Sequence, residues 1–247
     1  MAIFDGQGPT TLAQDSFTSS STQQHPLGTR AVTRDGRVFR YCQMGAADAV
    51  AGDLYQSAAP IPNHLALTAP VVAIGATSFS CTPGATGGAA NLYSEGYLQV
   101  DTTPGNGYIY KILGHAAITA SVAFTLNLVP EDAIQIALTA SSRIGLLHNP
   151  YKNVILPPTT QTATVVGVAP CIITATQYGW LQTWGIASVL INGTPAITAP
   201  VVNSGTTTGA VDKWTTAAAD VAVQTIGHMA QVGVSTKNNF VFLQIAP

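Results

Sequence analysis

The chain has 247 residues, a length suited to one large all-β domain or two small ones, and 47% of them are apolar. Only 8% are charged, against about a quarter in ordinary soluble domains, so the surface must be built mainly from Thr, Ser, Asn, Gln and exposed backbone. Nine Lys and Arg against eleven Asp and Glu give a net charge of -2 with no long basic run, which argues against general nucleic-acid binding through phosphate neutralisation.

Residues 1–26 stand apart. The opening MAIFDGQGPTT has no basic region followed by an apolar one, so no secretory signal is expected. The stretch QDSFTSSSTQQHP is polar and has neither the helical nor the strand period. It reads as an extended arm or a tail. An arm laid on a neighbouring surface has a use for Ile3, Phe4, Leu12 and Phe17, whereas a free tail has none.

From Gly28 onward the signal is strand and turn. Segments 29–33 and 37–43 flank Asp35-Gly36, a hairpin cue because a type I′ turn needs positive φ at both central residues. Segments 98–100 and 108–112 flank the Gly-rich loop DTTPGNG. The apolar run 116–129 carries Thr119, Ser121, Thr125 and Asn127, so it is no membrane span. Pro130-Glu131-Asp132 predicts a short turn before 134–138. Pro157-Pro158 marks the best boundary, giving a β-domain at 27–158 and a β-region at 159–247 that either stands alone or joins it. Segments 187–191 and 196–201 flank Asn192-Gly193, a second hairpin cue. Segment 216–231 favours strand over helix, because Val221, Val223 and Thr225 alternate and Gly227 interrupts. FVFLQI at 240–245 predicts a last strand. The expected fold is all-β, an antiparallel barrel or sandwich, with two small β-subdomains as the variant.

Chemistry is sparse. His25, His64, His115, His148 and His228 show no metal-ligand spacing, and surface or hydrogen-bonded structural roles are expected. Glu131-Asp132 would point to opposite faces of a strand, a poor acid/base pair and a better turn. Cys42, Cys81 and Cys171 are odd in number and widely spaced, as expected of buried thiols made in a reducing compartment. No catalytic, cofactor or metal residues are therefore expected. Trp180, Gln182 and Trp184 would share one face of a strand; with Trp214, Tyr93, Tyr97, Tyr108 and Tyr110 they form either core or a stacking platform for sugars.

The remaining feature is basic. Arg30, Arg34, Arg37 and Arg40 supply four of nine cations within eleven residues. A two-residue loop at Asp35-Gly36 would set Arg34 against Arg37, and like charges directly opposite cost a few tenths of a kcal/mol. Either the tip offers both guanidiniums to an acidic partner, or it is a solvated turn with Asp35 as counterion.

The stretch LGTRAVTRDGRVFRYCQMGAADAVAGDLYQ at 27–56 resembles head decoration, or cement, proteins of tailed bacteriophages. The carrying residues are Leu27-Gly28, Asp35-Gly36, Phe39, Tyr41, Gly45 and Gly52-Asp53, with similar pieces at 91–115 and 177–194. The resemblance implies a non-enzymatic virion protein, made in the bacterial host cytoplasm, that binds the outer capsid surface and cements capsomers. Its partners would be the major capsid protein and its own copies, as a dimer or trimer, with neither nucleic acid nor membrane. Ile3, Phe4, Leu12, Phe17, Arg30, Arg34, Arg37 and Arg40 would make the contacts. A head- or tail-fibre adhesin that binds host glycans is the rival expectation.

Overall fold

The computed structural model describes residues 13–215 and 223–247, so Ile3, Phe4 and Leu12 of the expected arm, with part of the 216–231 segment, lie outside the described residues. Following the chain, β1 (Arg30–Val32) and β2 (Val38–Gln43) form a hairpin, and β3 (Leu54–Gln56) follows. Next come β4 (Leu67–Thr68), β5 (Ser78–Cys81), β6 (Tyr97–Val100), β7 (Ile109–His115), β8 (Phe124–Leu128) and β9 (Arg143–Leu147). The last strands are β10 (Val165–Val168), β11 (Tyr178–Leu190), β12 (Pro200–Asn203), β13 (Val211–Lys213), β14 (Thr225–Met229) and β15 (Asn238–Gln244). The protein is all-β, with 38% strand against 3% helix and antiparallel sheets throughout. Two compact units divide it: Met1–Ala58 with Pro150–Pro247, and Ala59–Asn149.

In the first unit, β11 is the spine. Its first half pairs with β2, while its other edge pairs with β10 and then, from Trp184 onward, with β15. The sheet continues from β15 through β14 and β12 to β13. A parallel bridge from Ile191 to Val211 brings β13 back to the end of β11, so this sheet is a nearly closed barrel. Val189, Ile191, Val201, Val211, Ile226, Val241 and Leu243 fill it. Each such side chain taken from water contributes about 1.5–3 kcal/mol. In β15 burial alternates without a break: Val241 and Leu243 point inward, Phe240 and Phe242 outward.

The second unit is a six-stranded sheet in the order β4-β9-β6-β7-β8-β5. Its own core includes Leu98, Val100, Ile112, Leu126, Leu128, Ile144 and Leu146.

Several expectations need correction. The boundary expected near Pro157-Pro158 falls inside the first unit, where Gln56 bridges Ile155 and β3 pairs with β10. Asn192-Gly193 makes no hairpin. The Asn192 side chain donates to Asp212 Oδ2 at 2.7 Å, residues 197–198 turn, and β12 starts only at Pro200 to pair with β13 and β14. The short turn expected at Pro130-Glu131-Asp132, by contrast, is present as a 3-10 turn, and Leu138 beyond it bridges Val72. Within 216–231, the described strand covers 225–229.

Candidate functional site

The described part of the N-terminal segment, from residue 13 onward, packs on this same chain, while Phe17 stays exposed. Ser20 and Tyr178 exchange two main-chain hydrogen bonds of 2.9 Å. Gln14 is buried; its Oε1 accepts from the Tyr41 hydroxyl at 2.8 Å, and its main-chain carbonyl accepts from Trp180 Nε1 at 3.1 Å. Trp180 is fully buried against His25 and Tyr41, so it is no open platform. Burial holds His25 below the usual imidazole range, because desolvation disfavours its charged form.

The arginine hairpin has a three-residue loop. Thr33 pairs with Arg37 through Thr33 N to Arg37 O at 2.9 Å, and in the loop Gly36 has positive φ while Asp35 does not. The type I′ geometry is thus absent, and the expected opposition of Arg34 and Arg37 with it. Directly across the ladder stand Arg30 and Arg40 instead. Arg37 Nε donates to Asp35 Oδ2 at 2.8 Å. A hydrogen bond from Thr33 and the Arg37 guanidinium hold the Asp35 carboxyl below its ordinary range. Arg40 donates to the Gly28 carbonyl at 3.2 Å and to a Pro247 oxygen at 3.0 Å, so it ties the hairpin to the chain's own backbone. Arg34 is exposed at the tip.

Beside this hairpin lies an open groove of about 730 Å³. A bulge creates it. Between Gln182 and Trp184 the β2–β11 register slips, and Gly185 takes φ +86. The Gln182 side chain braces the bulge by donating to the Trp184 and Ile186 carbonyls at 3.1 and 2.9 Å. Past it, Trp184, Ile186 and Ser188 sit opposite Gln244, Phe242 and Phe240 on the barrel's outer face. Trp184 and Phe242 meet edge to face at 5.8 Å. Phe240 is 55% exposed, Phe17 48%, Ile186 42% and Phe242 37%. Four large apolar side chains open to solvent in one groove are a patch, and such patches mark interaction sites. Asp35, Arg37 and Asn238 complete its rim. Of the residues expected to bind a partner, the structure brings Phe17 and Arg37 here. The exposed phenylalanines of β15 were missed, although the alternation in NNFVFLQ signals one open apolar face.

Elsewhere the polar groups serve the fold. Asp132 Oδ2 accepts from Lys111 N at 2.9 Å, consistent with a turn role. Burial pushes the Cys81 thiol up to about 12 and Cys42 further, so neither is a nucleophile at neutral pH. Tyr93 and Tyr110 are core residues. Among the described residues no cluster of His, Cys, Asp or Glu has the arrangement to hold a metal ion. No family model, curated protein or solved structure matches the chain.

Proposed function

We propose that this chain is a non-enzymatic structural protein of a tailed-phage virion that binds the outer surface of the capsid. It joins the major capsid protein and other copies of itself, as a dimer or trimer, and cements adjacent capsomers. The observation that carries the reading is the open aromatic groove on β11 and β15 beside the Arg34–Arg37 tip. A chain with so few charges keeps four large apolar side chains in water at that one place, which costs solubility and is repaid only against a partner. Binding to the assembled shell and not to open lattice would stabilise the shell by mass action.

The test is decoration of purified undecorated shells by the full chain, with occupancy read by mass and electron microscopy. The double variants Trp184→Ala/Phe242→Ala and Arg34→Glu/Arg37→Glu are expected to keep the β circular dichroism spectrum. The aromatic pair should lose affinity by about 30-fold or more, the signature of an interface hot spot. Parental binding by both variants, or none by the parent, removes the reading.

A second reading, a glycan-binding adhesin, is favoured by the half-exposed Trp184 paired with Phe242 among polar rim groups. Glycan-array binding that disappears in Trp184→Ala, without shell decoration, would select it.

A further inference from the structure

We propose that the cavity bordered by Met44, Tyr55, Val154 and Leu156 is a pocket for a lysine side chain of a partner protein, whose ammonium pairs with Asp53. The inference is independent of the function proposed above. The cavity holds about 210 Å³. Small-molecule pockets run to about 300–1,000 Å³, so this one suits a single side chain rather than a whole ligand. It lies in the first unit and is built from three pieces of chain: residues 44–50 after β2, residues 53–55 around the start of β3, and residues 154–156.

Main-chain pairing holds the walls, so the cavity is a fixed part of the fold. Met44 bridges Val154 and Gln56 bridges Ile155, while Gly45 N donates to the Val154 carbonyl at 2.9 Å. Val50 N donates to the Tyr55 hydroxyl at 2.8 Å, which props the segment before β3 against that strand. The main chain of Asp53 is tied on both sides: its N–H donates to the Val50 carbonyl at 3.2 Å, and its carbonyl accepts from Ala169 N at 3.1 Å. Its carboxyl is left without such ties. Among the described residues it has neither a hydrogen bond nor an ion pair. One side of it rests on Gly209, where an added Cβ would come 3.1 Å from Asp53 Cγ and Oδ2.

Burial raises the Asp53 carboxyl to about 6 and pushes Tyr55 up to about 12, so above pH 7 an anion stands beside a neutral phenol. An anion partly withdrawn from water without a counterion costs the fold free energy, and a cation brought against it relieves that cost. The lining supplies no lysine or arginine. Its second acid, Asp48, is exposed at the mouth, where Oδ1 accepts from Ala175 N at 2.7 Å. An incoming cation thus meets one carboxylate on entry and another within. The kind of cation follows from the walls. A hard metal ion takes six or more oxygens, and among the described residues no group of His, Cys, Asp or Glu suits one. Met44, Val154 and Leu156 offer hydrocarbon, which fits the slender stem and compact ammonium of lysine better than the broad planar fork of arginine. Val50 and Ile155 are exposed at the rim. A free amine would leave them in water, whereas a protein surface that delivers a lysine covers them, which assigns the stem to a partner chain.

The test is an NMR titration of the full chain at about pH 7.5 and constant ionic strength, where Asp53 is ionised. The probe is N-acetyl-lysine N-methylamide. It should shift the signals of Val50, Tyr55, Val154 and Leu156 saturably, with a Kd of about 1–10 mM, as suits so few contact atoms. n-Butanol, which has the stem without the charge, should bind at least about tenfold more weakly. Asp53→Asn should weaken the lysine probe by at least about tenfold, and it is expected to fold because it removes an unpaired charge. The n-butanol comparison uses the parent protein and decides even if the variant does not fold. n-Butylammonium tests the source and should bind no more tightly than the lysine probe. Absence of saturable shifts at these residues up to about 50 mM, equal affinity for n-butanol, or parental affinity in Asp53→Asn overturns the pocket. n-Butylammonium binding about tenfold more tightly than the lysine probe overturns the assignment to a partner's lysine.

Discussion

Two residues show how the backbone sets what their surroundings can tolerate. Gly185 lies at the bulge that turns Trp184 into the groove, with φ +86, and a Cβ there would come 3.1 Å from Arg37 Cγ. Strain and crowding act together, so Gly185→Ala should cost about 1–3 kcal/mol in chemical denaturation. Asp53 differs in that its difficulty is solvation. It borders a small cavity of about 210 Å³ with Met44, Val154 and Leu156, and burial raises its carboxyl to about 6. The unfolded chain ionises near 3.9, so the folded protein holds this proton more tightly. Stability from this group is fully present below about pH 4 and is lost as pH rises through about 6. Asp53→Asn should therefore stabilise the protein at pH 7 by about 1 kcal/mol, a figure reduced from the full shift because the carboxyl is half-exposed. The gain should vanish at about pH 4, as thermal melts of both proteins at the two pH values will show.

Among the elements, the N-terminal segment behaves as part of the sheet it covers. Gln14 alone accepts from Trp180 Nε1 and Tyr41 and donates to the Tyr178 carbonyl at 3.0 Å. Deleting residues 1–26 should thus lower the melting midpoint by several degrees, and Trp180→Ala should cost about 3–5 kcal/mol by urea denaturation. An unchanged melt after the deletion would return the segment to the status of a tail. The contrast with the sequence reading has a physical source. Hairpins with local pairing, such as β1–β2 and β6–β7, were legible because alternation and turn residues are neighbours in sequence. The partner of Gln14 lies 164 residues away, and no local period encodes it. The loop at Asp35-Gly36 was legible as a turn but not as a three-residue one, because Asp-Gly also serves a type I turn followed by a single left-handed glycine. Likewise Trp180 and Trp184 were expected to share one face, either core or a stacking platform. Covering by the segment at one end and a bulge at Thr183 divide them into a buried anchor and a half-buried ring.

At the scale of the whole molecule, two cores are built from non-overlapping stretches of chain. The second unit is continuous from Ala59 to Asn149, whereas the first is assembled from the segments on either side of it. The continuous unit makes all its strand pairings within residues 67–147. The first unit must bring β3 to β10 and β2 to β11 across more than a hundred residues, so its ladder forms at a greater entropic cost. A domain with its own core can open on its own. Leu126 is fully buried in the second core, and Val241 in the first. Leu126→Ala should cost about 2–5 kcal/mol and raise hydrogen exchange in β6, β7 and β8, with β14 and β15 as protected as in the parent. Val241→Ala should do the reverse, at a smaller cost because fewer methyl groups are removed. If either substitution lowers protection equally in both sets of strands, the two cores unfold as one cooperative body.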